Sequence, residues 1–235
     1  MLKDESILKY EIKGSPSFAH VAITLDKPGQ DIIAEGGAMI YMDGHIQMTT
    51  KSSGGIMKGL KRTLSGESMF QNYFSLPEGS NQGTVVFSHG VPGDIIHLHL
   101  KQGEKWVLSR DGYICSTMGI AISTKASGKQ FFGGEGLFQT TVTAEKEGDI
   151  WLGGYGMVEK HEIKQDQEFL VDTSIMMAYS ANIQHKVSKV GGKKSFILGG
   201  EGFVIRYTGP GIVYTQNRDI RALASLIWPF LPKSR

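Results

Sequence analysis

Three short segments of this chain are near copies of one another: Ser65 to Phe70 (SGESMF), Gly133 to Phe138 (GGEGLF) and Gly199 to Val204 (GGEGFV). The shared glutamate recurs after 68 and then 66 residues, at Glu67, Glu135 and Glu201. A period of that length means one supersecondary unit used three times, and a unit of this kind buries its apolar face only by stacking on its neighbours. The segments between agree. IIAEGGAMIYMDGHI, WVLSRDGYICSTMGI and FLVDTSIMMAYSANI each read as a strand, a tight turn holding an acid, a second strand and a second turn.

The units are built from strands. Glycine is abundant at 31 residues against seven prolines, and it punctuates short runs rich in Val, Ile, Phe and Tyr. In Phe18 to Leu25, Val21, Ile23 and Leu25 alternate onto one face. The expected architecture is all-β: a first repeat over 1–92 with N-terminal strands and a basic loop, a second over 93–147, a third over 148–216, and a helix with its tail over 217–235. That helix carries Ile220, Leu223, Ala224 and Ile227 on one stripe, with Asn217 as its cap and Pro229 at its end, and is expected to dock on the β body or on another subunit.

Composition excludes several function classes. The formal net charge is +2 with both signs interspersed, so no whole-molecule field draws nucleic acid or an anionic membrane. The single cysteine, Cys115, rules out an internal disulfide framework, and its apolar neighbours predict a buried, inert thiol in a reducing compartment. Charges at Lys3, Asp4 and Glu5 stand where a signal peptide needs an apolar run, and no window is long enough for a membrane-spanning helix. The expectation is a soluble cytoplasmic protein.

GLKRTLSGESMF, VPGDIIHLHL, FFGGEGLF, FLVD with its apolar run into Ala178-Tyr179, and GEGFVIRYTGPGIVYTQNR follow one another in a recognisable order. Over most of Ile32 to Arg218 the chain resembles the uncharacterised bacterial proteins grouped with the altered-inheritance-of-mitochondria family. The resemblance implies three tandem units similar to the tryptophan RNA-binding attenuation protein, each a small β-sandwich of the double-stranded β-helix type. It further implies homotrimers with a pseudo-ninefold ring, and it carries no catalytic residues over. For the mitochondrial branch it implies a role in inner-membrane organisation, which needs a presequence that this N-terminus is not expected to supply. Ring closure also removes the edge strands that a three-unit arc otherwise leaves open.

Three groups of side chains invite a chemical reading. His97 and His99 lie on one face of a strand, and Glu104 downstream would complete a cupin-like metal site. Glu67, Glu135 and Glu201, each after a glycine (Gly66, Gly134, Gly200), suit repeated turns better than catalysis, because equivalent residues spread round a ring never meet. Lys58, Lys61 and Arg62 in the first basic loop, and Lys193 and Lys194 with Lys186 and Lys189 near a glycine turn, offer contacts for anions or nucleic acid. No catalytic triad, dinucleotide fingerprint or Walker sequence appears. The function expected is a non-enzymatic, ring-like homotrimeric scaffold or binding protein without a cofactor, its further partner a protein or a membrane-associated molecule. The alternatives are a metal-dependent enzyme using His97, His99 and Glu104, and an RNA-binding ring.

Overall fold

The computed structural model describes residues 6–52, 70–125, 139–189 and 203–232. Glu67, Glu135, Glu201 and their glycines, with Lys58, Lys61, Arg62, Lys193 and Lys194, lie outside the described residues. After β1 (Lys9–Lys13), the first unit runs β2 (His20–Leu25), β3 (Asp31–Glu35), β4 (Met39–Met42), β5 (Gln47–Ser52), β6 (Phe70–Ser75) and β7 (Gly83–Ser88). The second unit is β8 (Gly93–Leu100), β9 (Lys105–Ser109), β10 (Tyr113–Thr117), β11 (Ile120–Lys125), β12 (Gln139–Ala144) and β13 (Gly148–Tyr155). The third is β14 (Val158–Ile163), β15 (Glu168–Asp172), β16 (Met176–Ser180), β17 (Gln184–Lys189), β18 (Phe203–Thr208) and β19 (Gly211–Gln216).

One pairing rule generates all three units. The sixth strand lies between the first and the third, and the fifth lies between the second and the fourth, every pair antiparallel. In each unit the third strand slips register once against the sixth, at Met39/Tyr41, Tyr113/Cys115 and Met176/Ala178. This shared irregularity aligns the units residue by residue. It also moves the second unit boundary to between Tyr155 and Val158 rather than at 147. Gly148-Asp149 resembles Gly93-Asp94 in sequence, but it opens a sixth strand and Gly93 opens a first.

Neighbouring units join by the same pair of strands. The second strand of one unit hydrogen-bonds to the third strand of the next: β3 to β10, with Ala34 opposite Cys115, and β9 to β16, with Leu108 opposite Ala178. The first two cores are each completed from the following unit. The first contains Ile95, Ile114, Cys115 and Trp151 of the second unit, and the second contains the equivalents Met177, Ala178 and Tyr214 of the third, with Val158 packed against it. Buried Cys115 has its thiol pushed well above the usual range by loss of solvent, which leaves it inert.

The series stops at both ends of the arc. Ile114, Cys115, Met177 and Ala178 are all but fully buried, whereas their counterparts on β4, Ile40 and Tyr41, are 50% and 58% exposed. On the other end, Leu170 of β15 is 46% exposed where its counterpart Ile33 is 7% exposed. The strands equivalent to β4 and β15 lie inside six-stranded sheets, but these two are sheet edges among the described residues.

The C-terminal helix α1 (Ile220–Ile227) is capped by Asp219, whose side chain accepts from the Arg221 amide, and not by Asn217. Asn217 is used elsewhere, its Oδ1 accepting from the Met157 amide at 3.0 Å. None of the helix residues is buried, and Leu226, Trp228 and Phe230 stand exposed, so the apolar stripe is not docked on the β body of its own chain.

Candidate functional site

Two places concentrate chemistry-bearing side chains. The first lies on the β8–β13 ladder, where His99 is opposite Asp149 and His97 is opposite Trp151. Alternation puts both imidazoles on one face, and the fully buried Asp149 carboxylate receives them through one oxygen: His97 Nε2 at 3.0 Å and His99 Nδ1 at 2.9 Å from Oδ1. The other oxygen accepts the Ile7 and Leu8 amides at 2.7 and 3.3 Å. Burial alone would favour the neutral acid, but the donors from His97, His99 and Ile7 outweigh it and hold Asp149 below the usual carboxylate range.

His99 is caught between two acids. Its Nε2 lies 2.9 Å from the exposed Glu147 carboxylate, so both ring nitrogens face oxygens that only accept. Only the imidazolium donates twice. Burial opposes that charge, yet Asp149 and Glu147 overcome it and raise the His99 pKa above its ordinary value. His97 stacks between Tyr10 and Trp151, with ring centroids 4.5 and 5.2 Å away. The cluster therefore straps the N-terminal arm, residues 6–13, of the first unit onto the second. Glu104 takes no part: its Oε2 accepts from the Lys101 amide at 2.9 Å and closes the turn beyond β8. Among the described residues no group of three His, Cys, Asp or Glu side chains is arranged to hold a metal ion.

The second place is a cleft of about 570 Å³ on one rim, where the turns after the second strands of all three units come together. Glu35 ends β3, Asp111 sits in the β9–β10 turn, Thr173 and Ser174 in the β15–β16 turn, and the start of α1 closes one side. His89 forms part of the wall. It donates from Nε2 to the Asp111 carbonyl at 2.7 Å, while its buried Nδ1 has no hydrogen-bond partner. The ring fits because residue 153 is glycine: a Cβ there would sit 2.5 Å from the imidazole. Burial pushes the Glu35 carboxyl up to about 7, with help from the negative charge of Asp111.

Residues 10–218 match the family model described as mitochondrial biogenesis AIM24. The chain belongs to that family. An uncharacterised protein of Streptococcus pyogenes serotype M6 is 26% identical over 97% of this chain and 92% of its own length. The crystal structure of a Streptococcus pyogenes protein superposes with a TM-score of 0.75 at 22% identity, covering 95% of this chain and all of that one. That likeness establishes the all-β fold for this AIM24 member and nothing about its chemistry.

Within this AIM24 chain the structure brings His97 and His99 together and gives them to Asp149 and Glu147 instead of Glu104. Nothing in the sequence around Glu147 and Asp149 marks these acids as partners of the histidines. A strand-opening Gly-Asp stands some fifty residues after the histidines, but only the strand register shows that they meet. Glu35 and Asp111 were visible as the turn acids of the first two units, without indication that both turns face one cleft. No helix among the described residues is long and apolar enough to cross a membrane.

Proposed function

We propose that the protein is a non-enzymatic scaffold or binding protein that closes head to tail into a homotrimeric ring, β15 of one copy pairing with β4 of the next. What supports this reading is the exposure of Ile40 and Tyr41, whose counterparts in the other two units are buried, and of Leu170, whose counterparts Ile33 and Val107 are buried and half-buried. The same heterologous junction occurs twice within the chain, and a third use of it needs a strand that this copy does not offer to itself. A heterologous contact either closes into a ring or grows as a filament. Three copies is the number that the family resemblance implies.

The internal junctions set the register. By their alignment, Val171 lies opposite Tyr41 and Leu170 opposite Met42 of the next copy. Cysteines placed at 170 and 42 therefore crosslink between chains under mild oxidation, while Cys115, buried and inert, stays out of the exchange. On a denaturing gel a ring gives products up to the cyclic trimer and no further. A ladder running past three, or no crosslink at all, would sink the proposal.

A further inference from the structure

The openings of successive units are tied to one another along one rim. The Ala19 amide donates to the Gly93 carbonyl at 2.8 Å, and the Asp94 amide donates to the Gly156 carbonyl at 2.9 Å, so the first, second and third units begin side by side in equivalent places. The next place on this ladder is held by Asn217. Its amide donates to the Met157 carbonyl at 3.1 Å, and its Oδ1 accepts from the Met157 amide at 3.0 Å. From there the chain leaves the rim as α1 instead of opening a fourth unit.

Both ends of the ladder stand exposed. At the first, residues 14–18 form a turn that leads into Ala19, and the ring of Phe18 is 73% exposed. The turn is rigid. The Phe18 and Ser17 amides both donate to the Gly14 carbonyl, at 2.9 and 3.2 Å, and Gly14 sits at a φ of +79° where a Cβ would run into the Phe18 carbonyl. An aromatic ring displayed on a fixed turn loses little freedom when something covers it. At the last end the stripe of α1 and the turn after it exposes Leu226, Trp228 and Phe230, with Trp228 at 75%. Residues 222–232 carry no charged side chain, and neither do residues 14–18, so laying one against the other buries no unpaired charge.

In the head-to-tail ring the first unit of the following copy takes the step beyond the third unit, which is the step that Asn217 marks. Its exposed turn then lies where α1 leaves the rim. We propose that α1 of one copy covers the turn at residues 14–18 of the next, with Leu226, Trp228 and Phe230 against the next copy's Phe18. The occupant of the stripe is a second copy of this chain. This contact rests on the ring and adds to it a rim clasp separate from the pairing of β15 with β4. Aromatic side chains gathered at the centre of such a patch suit a contact between subunits. The fold of a single chain does not use it.

Two measurements on the full chain test the clasp. With p-benzoylphenylalanine at position 228, irradiation is expected to give a two-chain product on a denaturing gel, and its joined peptide is expected to contain residues 14–18. Acrylamide quenching of the unaltered protein reports on Trp228, because Trp106 and Trp151 are buried. Quenching should be several-fold weaker in the assembly than in Leu170→Asp, and Phe18→Asp, which leaves the β15 and β4 edges alone, should restore it at unchanged native mass. A native mass of one chain for the unaltered protein removes the ring and this contact with it. A native mass of three chains in which Trp228 is quenched as freely as in Leu170→Asp, is crosslinked within its own chain, or is protected only when phosphatidylglycerol vesicles are added, overturns the clasp and leaves the ring standing.

Discussion

Asp149 is the residue whose removal should cost most. Asp149→Asn keeps the shape but deletes the charge that two histidines and two amides were arranged around, and breaking a buried ion pair from one side costs about 3 kcal/mol. Chemical denaturation should show that loss, and hydrogen exchange should show the arm at residues 7–13 losing protection first. The same cluster sets a pH window. Asp149 has a lowered folded pKa, so its contribution is complete above the ordinary carboxylate range and disappears as pH falls through the folded value. His99 has a raised one, so its contribution is complete below 6.5 and is lost as pH climbs through the folded value. Arm protection should accordingly peak in mildly acidic solution, and His99→Gln should flatten only the alkaline side. Glu35 works in the opposite sense. Its carboxyl titrates near 7 instead of 4.5, so ionising it opposes folding, and Glu35→Gln should stabilise by about 2 kcal/mol at pH 8 and by nothing measurable at pH 4. Melting curves at the two pH values decide it. None of these couplings was legible in the chain, because each joins residues whose proximity is fixed by strand register or by turns from different units.

At the level of elements the chain was far more readable. The alternation in Phe18 to Leu25 puts Val21, Ile23 and Leu25 into the first core as expected, and the recurring strand-turn-strand segments become β3–β4, β9–β10 and β15–β16. What went astray was the resemblance between Gly93-Asp94 and Gly148-Asp149. Similar dipeptides mark opposite ends of an antiparallel pair, and local sequence does not say which. The C-terminal helix was legible from its 3.6-residue spacing, whereas its cap and its docking were not. A tertiary contact decided the first: Asn217 was taken by the Met157 amide, leaving Asp219 as the free-standing capping side chain. Since the stripe is exposed, Leu226→Gln and Phe230→Gln should change folding stability by no more than about 0.5 kcal/mol, against the several kcal/mol expected for a docked core helix. Denaturant midpoints of the single variants check this.

For the whole molecule, three copies of one module make an arc with two internal junctions, and its end strands β4 and β15 are sheet edges among the described residues. The threefold repeat in the sequence pointed to stacked units. The identity of the strands that join them was not readable, because the second and third strands of each unit look alike in composition and only hydrogen bonding separates them. Ile40, Tyr41 and Leu170 stand exposed at the two ends, on edge strands of a kind that invites association. The most direct test is the mass of the protein in dilute solution, by native mass spectrometry, for the unaltered chain and for Leu170→Asp. The account predicts three times the 25.7 kDa chain mass for the first and a folded single chain for the second. A single chain mass for the unaltered protein at micromolar concentration, or an assembly that Leu170→Asp leaves untouched, would contradict it.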